Sequence, residues 1–161
     1  MPKVRSERPN AASTQPTEVR NAKRDILISI KTPHMNNIVS RAKNHEFRKY
    51  LISRTVERMW LYISSPDQTL RYIAIVSQGK VPGDIGNEDG LGNADFNAGN
   101  RSAAIAGGSY AYEIMHLYKL AQPLHISVLG ERYKISPPQR YAFTPKQLLD
   151  DVQLEEQEML F

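Results

Sequence analysis

The sequence predicts a single α+β domain, and three observations support this. A chain of 161 residues has the usual length of one domain. Short runs rich in β-branched residues alternate with stretches whose apolar residues have helical spacing. A hydrophobic content of 40% is enough to bury a core. We therefore expect a small sheet that packs against short helices.

Strand and helix patterns follow one another along residues 25–149, which we take as the folded domain. The first strand ends before Pro33, because proline cannot donate a backbone hydrogen bond to a neighbouring strand. Thr144, Pro145 and Lys146 are typical of a helix start, with threonine as the N-cap and proline in the first turn. In chain order we expect a strand over 25–31, a helix over 34–43, a strand over 46–52, a hairpin of strands over 56–64 and 70–77, a strand over 110–120, a helical turn after Pro123 and a last helix from Thr144.

Residues 79–108 form a segment rich in Gly and Asn between two predicted strands. They hold eight of the nine glycines of the chain. A connection of this length is uncommon in a compact domain, and such loops are mostly functional or mobile. The segment lacks the Gly-rich motifs that bind phosphates or dinucleotides. We therefore expect a mobile inserted loop.

Charge is unevenly distributed along the chain, although its net value is only +4. Residues 1–24 hold six basic and two acidic side chains, three prolines and little to bury, so we expect a disordered basic arm. This arm is either a solvated terminus or a source of non-specific phosphate contacts. Residues 150–161 hold five acidic and no basic side chains, which predicts an acidic C-terminal tail. The tail could bind a protein partner or cover the basic body of the domain.

The composition also excludes several classes of protein. The absence of cysteine excludes disulfides, thiolate zinc sites and a cysteine nucleophile. The sequence contains no apolar run long enough to span a membrane and no signal peptide, so we expect an intracellular protein, cytoplasmic or nuclear. The four histidines lack the spacing of metal ligands. We expect no metal site and no cofactor.

Three predicted strands each combine an apolar face with a polar or aromatic face. Side chains alternate across a strand, so residues two apart share a face. The polar sets are Ser29 with Lys31, Glu46 with Arg48, and Arg58 with Trp60, Tyr62 and Ser64. These sets could form a solvated outer face of the sheet. Trp60 favours a binding surface instead, because an exposed tryptophan beside basic residues is a stacking platform for a base.

The order and spacing of several short motifs resemble those of the ASCH family, within the PUA-like superfamily. The family typically has a Ser-Ile-Lys strand, a helix, a Lys-x-x-Glu-Phe-Arg strand and a strand ending in Ser-Ser-Pro, with Pro-Pro-Gln near its end. The matching positions here are Ser29 to Lys31, Ile38, Lys43, Glu46 to Lys49, residues 56–66, and Ile135 to Gln139 with Tyr141. The resemblance covers residues 25–149 apart from the inserted loop.

This resemblance implies a small, partly open β-barrel with short helices at its ends, related to the EVE and YTH domains that read modified bases. Such domains are mostly associated with RNA or modified nucleotides, and their cleft lies near the Lys-x-x-Glu-Phe-Arg strand. The resemblance therefore implies that Lys31, Lys43, Glu46 and Arg48 are cleft residues. Ser29, Trp60, Tyr62 and Ser64 join them as candidates because of the alternation of side chains on the predicted strands.

Our leading hypothesis is binding of RNA, or of single-stranded or modified DNA. Arg48 and the lysines would contact phosphate, Trp60 or Tyr62 would stack a base, and Glu46 would accept a hydrogen bond from an exocyclic amine. Alternatively, Glu46 and Arg48 form an internal salt bridge on one sheet face. The salt bridge and the binding role are compatible, because the pair would fix the orientation of the arginine.

A hydrolase that acts on a modified nucleoside or on RNA is the alternative hypothesis. Some ASCH proteins hydrolyse acetylated cytidine with a lysine, a threonine nucleophile three residues later and a glutamate, and other relatives are suspected nucleases. Lys43 matches the lysine, but Glu46 stands at the threonine position. A carboxylate cannot replace the hydroxyl without a change of mechanism. Lys43 and Glu46 could still act as acid and base if they are buried together.

Overall fold

The computed structural model describes residues 23–161, in which a seven-stranded mixed sheet curls into a half-barrel with four short helices. The α+β fold class predicted from the sequence is confirmed. The strands are β1 Asp25–Ile30, β2 His45–Arg48, β3 Arg58–Ile63, β4 Thr69–Val76, β5 Tyr110–His125, β6 Ala142–Phe143 and β7 Glu158–Met159. The helices are α1 Thr32–Val39, α2 Asn93–Ala98, α3 Ile126–Tyr133 and α4 Lys146–Asp151, followed by a 3-10 turn over Leu154–Glu156. Most of the predicted basic arm lies outside the described residues.

The strand order β2-β5-β4-β3-β1-β6 places β2 and β6 at opposite ends of the sheet, with β7 added beside β5. The β1–β3 pair is parallel, and the predicted hairpin of β3 and β4 is confirmed as antiparallel. The 16-residue strand β5 pairs with β2 through its first four residues and with β4 through the rest. Irregularities in the β3–β4 and β4–β5 ladders accompany this change of partner, and bulges of this kind bend strands.

Curling brings the two ends of the strand order close together at an open seam, which we define as the gap between β2 and the β1–β6 pair. Arg48, at the end of β2, donates a hydrogen bond from Nη2 to the Ser29 carbonyl oxygen of β1 over 2.8 Å. Tyr50 and Tyr141 lie just outside β2 and β6, and their ring centroids are 5.6 Å apart. Side chains rather than a strand ladder therefore connect the two edges.

Apolar residues fill both faces of β1 and β3. Ile26, Ile28 and Met59 belong to a core that also takes residues from α1, whereas Leu27 and Trp60 belong to a second core on the opposite face. This second core contains Leu129 and Tyr133 of α3 and Leu148 and Leu149 of α4. The C-terminal helices thus cover the face of β3 that we predicted to be open.

The inserted segment, residues 79–108, packs against the sheet. Ile85, Phe96 and Ile105 form a third core with Phe47 of β2 and Ala111 of β5. The fully buried Asn93 donates hydrogen bonds to Asn44 Oδ1 over 2.8 Å and to the Asn87 carbonyl oxygen over 3.0 Å. These contacts attach the segment to the sheet at a few points, and the expectation that the segment is mobile stays a prediction.

The C-terminal segment differs from its predicted form in two respects. Helix α4 begins at Lys146 with Pro145 at the N-cap, and no side chain caps it, so the prediction of Thr144 as N-cap is wrong. Residues of the acidic tail form β7 and extend the sheet: Leu160 N donates to Leu117 O over 2.8 Å, and Leu117 N donates to Phe161 O over 3.1 Å. Leu160 and Phe161, which follow β7, pack against the first core.

Candidate functional site

A cleft of about 480 Å³ opens at the seam, where β2, the end of β1 and the segment before β6 meet. We call it the β2 cleft. One residue of the inserted segment, Ala106, also contributes to its wall. The cleft is lined by Ser29, Ile30, Lys31, His34, Glu46, Phe47, Arg48, Lys49, Tyr50, Ala106, Gln139 and Arg140. Four of these side chains are cationic and one is a carboxylate, so the cleft attracts anions.

Arg48 is held in place at the centre of the cleft. Its Nη2 donates to the Ser29 carbonyl oxygen, and its Nε lies 3.8 Å from Glu46 Oε1, which is an ion pair without a hydrogen bond. The Nε atom is buried and has no hydrogen-bond partner within residues 23–161. One hydrogen bond and one ion pair thus restrain the guanidinium, while 19% of the side chain remains exposed.

Glu46 is buried at the base of the same cleft, with 5% of its surface exposed. Its Oε1 accepts a hydrogen bond from Phe47 N over 3.2 Å and lies 3.5 Å from Lys43 Nζ. Its Oε2 is buried and unpartnered among the described residues. The salt bridge with Arg48 that we considered from the sequence is present, and it leaves one carboxylate oxygen of Glu46 free to accept a hydrogen bond.

Lys43 contacts both Glu46 and His34. Lys43 is only 3% exposed and does not line the cleft, whereas His34 does. Burial lowers the pKa of the Lys43 ammonium, and the neighbouring Glu46 carboxylate opposes that shift. Burial and the adjacent Lys43 both lower the pKa of the His34 imidazole, whose Nδ1 is 3.2 Å from Lys43 Nζ. His34 is therefore neutral at pH 7 and can accept a hydrogen bond from Lys43.

His45 and Lys80 form a separate polar cluster with Glu113 of β5. His45 Nδ1 is 2.7 Å from Asn44 Oδ1, and Lys80 Nζ is 3.1 Å from His45 Nε2 and 2.8 Å from Glu113 Oε1. Burial, reinforced by Lys80, lowers the pKa of His45 to about 4. Neutral His45 therefore donates through Nδ1 and accepts through Nε2. This cluster ties the inserted segment to β2.

The structure brings together five of the eight candidate residues. Ser29, Lys31, Glu46 and Arg48 line the cleft, and Lys43 contacts Glu46 from behind. The remaining candidates, Trp60, Tyr62 and Ser64, do not line it.

The prediction that Trp60 and Tyr62 are open to a base is wrong. Trp60 is 1% and Tyr62 2% exposed, because α3 and α4 cover their face of the sheet. The Trp60 indole N–H donates to Asp25 Oδ2 over 2.7 Å. Burial raises the pKa of that carboxyl, and the indole hydrogen bond counteracts the shift. Ser64 is also used within the fold, since its hydroxyl lies 3.4 Å from the Ile30 carbonyl oxygen.

Sequence reasoning missed several residues of the cleft. His34, Lys49, Tyr50, Gln139 and Arg140 line it but were absent from the candidate set. The Pro-Pro-Gln segment that matched the ASCH pattern was the available signal for the last two.

Across the part of the chain that the structure describes, no group of three or more His, Asp or Glu side chains is placed to hold a metal ion. The helices in that part are too short or too polar to cross a membrane.

The curled mixed sheet, four short helices and a basic cleft at the seam define a small half-barrel domain of the α+β class. Solved structures of an ASCH protein from Zymomonas mobilis have the same fold. The protein without a stated mutation matches with a TM-score of 0.51 and 21% identity, covering 81% of this chain and 92% of that chain. Its serine-to-alanine variant matches with a TM-score of 0.57 and 18% identity, covering 83% and 99%.

A tyrosine-to-phenylalanine variant of the same bacterial protein also matches, with a TM-score of 0.54 and 18% identity, covering 80% of this chain and 96% of that chain. The resemblance to ASCH domains that the sequence motifs predict is therefore confirmed at the level of the fold. No protein-family model matches the sequence, and no curated protein matches it either.

Proposed function

We propose that the β2 cleft binds nucleic acid, with RNA or a single strand carrying a modified base as its ligand. The observation that carries this proposal is the composition of the cleft wall. Lys31, Arg48, Lys49 and Arg140 surround the single carboxylate of Glu46. Clustered cations supply the sequence-independent part of nucleic-acid affinity, because each phosphate contact releases condensed counterions. The ASCH fold supports the same proposal, because the resemblance implies nucleotide ligands.

Glu46 gives the cleft a second chemical feature besides positive charge. A carboxylate repels phosphate, so the backbone of the ligand would lie along the cations, away from Glu46. Glu46 Oε2 is buried and unpartnered, and after a small rotation of the side chain it would accept a hydrogen bond from the amino group of a base. The Arg48 guanidinium, whose side chain is 19% exposed, would donate to a phosphate or base oxygen. This arrangement favours a base inserted toward Glu46 with its phosphates on the cationic rim.

Fluorescence anisotropy with a labelled single-stranded RNA tests this proposal. Arg48→Ala should weaken binding and reduce the slope of log affinity against log salt by roughly 0.7, because one phosphate contact is lost. The matched control is Arg54→Ala, which removes the same charge from an exposed position outside the cleft. Equal loss in both variants would mean that only net charge matters, and the β2 cleft would then not be the binding site.

Hydrolysis of a modified nucleoside or of RNA is the second candidate function, and one observation favours it. Lys43 and Glu46 are buried together, with 3.5 Å between Nζ and Oε1, and burial lowers the pKa of Lys43. A lysine with a lowered pKa can supply a neutral amine as a base. Because Lys43 does not line the cleft, its proton would move through His34 or Glu46.

Chromatography of RNA oligonucleotides with and without acetylated cytidine tests this second candidate. If the candidate is correct, the wild type converts one of these substrates and Lys43→Met loses conversion while retaining affinity. Substrates recovered intact after incubation with the wild type would reject it and leave the binding proposal unaffected.

A further inference from the structure

A second depression, of about 380 Å³, adjoins the β2 cleft along the seam. Tyr50 and Arg140 line both cavities, so the two form one continuous surface. The rest of its wall is made of Leu51, Tyr141, Ala142 and Phe143. Its only charged lining residue is Arg140, so this depression combines aromatic surface with positive charge.

The aromatic residues of this depression are open and held in a fixed arrangement. Phe143 is 46% and Leu51 55% exposed. Tyr141 contacts Tyr50 on one side, and its ring is perpendicular to that of Phe143 at 6.2 Å. The Arg140 guanidinium lies 4.4 Å from the centroid of the Tyr50 ring, and the Tyr50 hydroxyl donates to the Arg140 carbonyl oxygen over 2.8 Å. A ligand would therefore meet rings whose rotamers are already restrained.

We propose that Tyr50, Arg140, Tyr141 and Phe143 form a stacking platform for the nucleotide next to the one held in the β2 cleft. The inference rests on the proposed function and deepens it, because the ligand becomes a single strand of at least two nucleotides rather than a free nucleoside. Aromatic side chains stack on any base, and arginine beside them contributes a cation–π contact and a phosphate partner.

A third depression next to the cleft supports a strand as the ligand. Lys49 lines both the β2 cleft and a further depression, of about 530 Å³, that is built from the inserted segment and also contains Arg101. A chain that leaves the cleft toward either depression thus remains on basic or aromatic surface. A closed nucleoside pocket would have no need of such extensions.

The charge of the platform favours nucleic acid as its occupant. Exposed apolar patches often mark interaction sites, and this one is continuous with a cationic cleft and carries no carboxylate. Nucleic acid supplies both the anion and the flat apolar ring.

The test uses hexanucleotide RNAs in which 2-aminopurine, a fluorescent base quenched by stacking, occupies each position in turn. The wild type should quench at one position next to the base in the cleft. Phe143→Leu keeps the apolar surface but removes the ring; it should abolish that quenching and weaken binding about 5- to 100-fold, with an unchanged salt slope. The matched control is Tyr118→Leu, an aromatic-to-leucine change on β5 outside both cavities, and it should bind as the wild type does.

Different results separate failure of the platform from failure of the cleft. Wild-type affinity and quenching in Phe143→Leu, with weak binding by Arg48→Ala, would overturn the platform and leave the proposed function standing. Wild-type affinity in Arg48→Ala would overturn both. Light scattering that shows a dimer in the wild type and a monomer in Phe143→Leu would also overturn the platform, because the rings would then serve contacts between copies.

Discussion

Strands β2 and β3 have similar sequence patterns, but their polar or aromatic faces differ in exposure in the structure. Each alternates apolar residues with polar or aromatic ones. On β2, Glu46 and Arg48 lie at the wall of an open cleft, whereas Trp60 and Tyr62 on β3 are covered by α3 and α4. The covering helices come from residues 126–151, far from β3 in sequence. Alternation therefore shows which residues share a face, and only the tertiary fold decides whether that face is exposed.

Hydrogen bonding distinguishes the two strands as clearly as burial does. The Trp60 indole N–H is satisfied within the protein by Asp25. Glu46 and Arg48 each keep one buried polar atom without a partner in the described chain. Asn93, Ser102 and Thr144 also have one such atom each, so it is the open cleft beside Glu46 and Arg48 that distinguishes the β2 face. The contrast indicates that the β3 face stabilises the fold, whereas the β2 face borders an open cleft.

The largest expected effect comes from the covered face. Trp60→Ala should lower the free energy of unfolding by about 3–5 kcal/mol, because it leaves a cavity and removes the hydrogen bond to the buried Asp25. Lys49→Ala, an exposed change at the cleft, should alter it by less than about 0.5 kcal/mol. Urea denaturation measures both. Equal free energies of unfolding for the two variants would contradict the claim that the β3 face, and not the exposed cleft residue, stabilises the fold.

The next effect concerns the cluster that joins the inserted segment to β2. The pKa of His45 is about 4 in the folded protein and about 6.5 in the unfolded chain, so the unfolded chain binds more protons between these values. The contribution of neutral His45 to the free energy of unfolding is therefore complete above about pH 6.5 and is lost as the pH falls toward 4. A single group with this shift in pKa lowers the free energy of unfolding by about 2 kcal/mol between pH 7 and pH 5.

Denaturation of a variant at both pH values isolates this contribution. His45→Gln should reduce the loss of stability between pH 7 and pH 5 by about 2 kcal/mol. His116→Gln is the matched control, because His116 is exposed on β5, and it should behave as the wild type does. An unchanged pH dependence in His45→Gln would show that His45 is not held neutral by burial and Lys80.

A smaller effect is expected from the C-terminal strand. Deletion of residues 158–161 removes the β5–β7 pairing, the two backbone hydrogen bonds between Leu117 and the chain end and the packing of Leu160 and Phe161, and should cost at least about 1–3 kcal/mol. RNA affinity should stay the same, because none of these residues lines the β2 cleft. Calorimetry and anisotropy measure the two quantities. Tighter RNA binding after the deletion, most pronounced at low salt, would indicate that the tail shields the cleft.

The sequence predicted most elements of the fold but only part of the site. Alternation and β-branched runs located β1, β3 and β4, because these signals are local. The ASCH resemblance located Lys31, Glu46 and Arg48 at the cleft. Arg140 was missed because it reaches the cleft only when the sheet curls and the seam brings β6 close to β2. A seam is a long-range feature that no local pattern encodes.

Nuclear magnetic resonance tests most directly the claim that the β2 face, and not the β3 face, meets nucleic acid. The chain has a single tryptophan, so the Trp60 indole N–H gives one unambiguous signal. On titration with a short single-stranded RNA, the amides of Arg48 and Lys49 and the Arg48 Nε–H should shift, while the indole signal stays in place. An indole signal that moves while the Arg48 and Lys49 signals stay fixed would contradict this account.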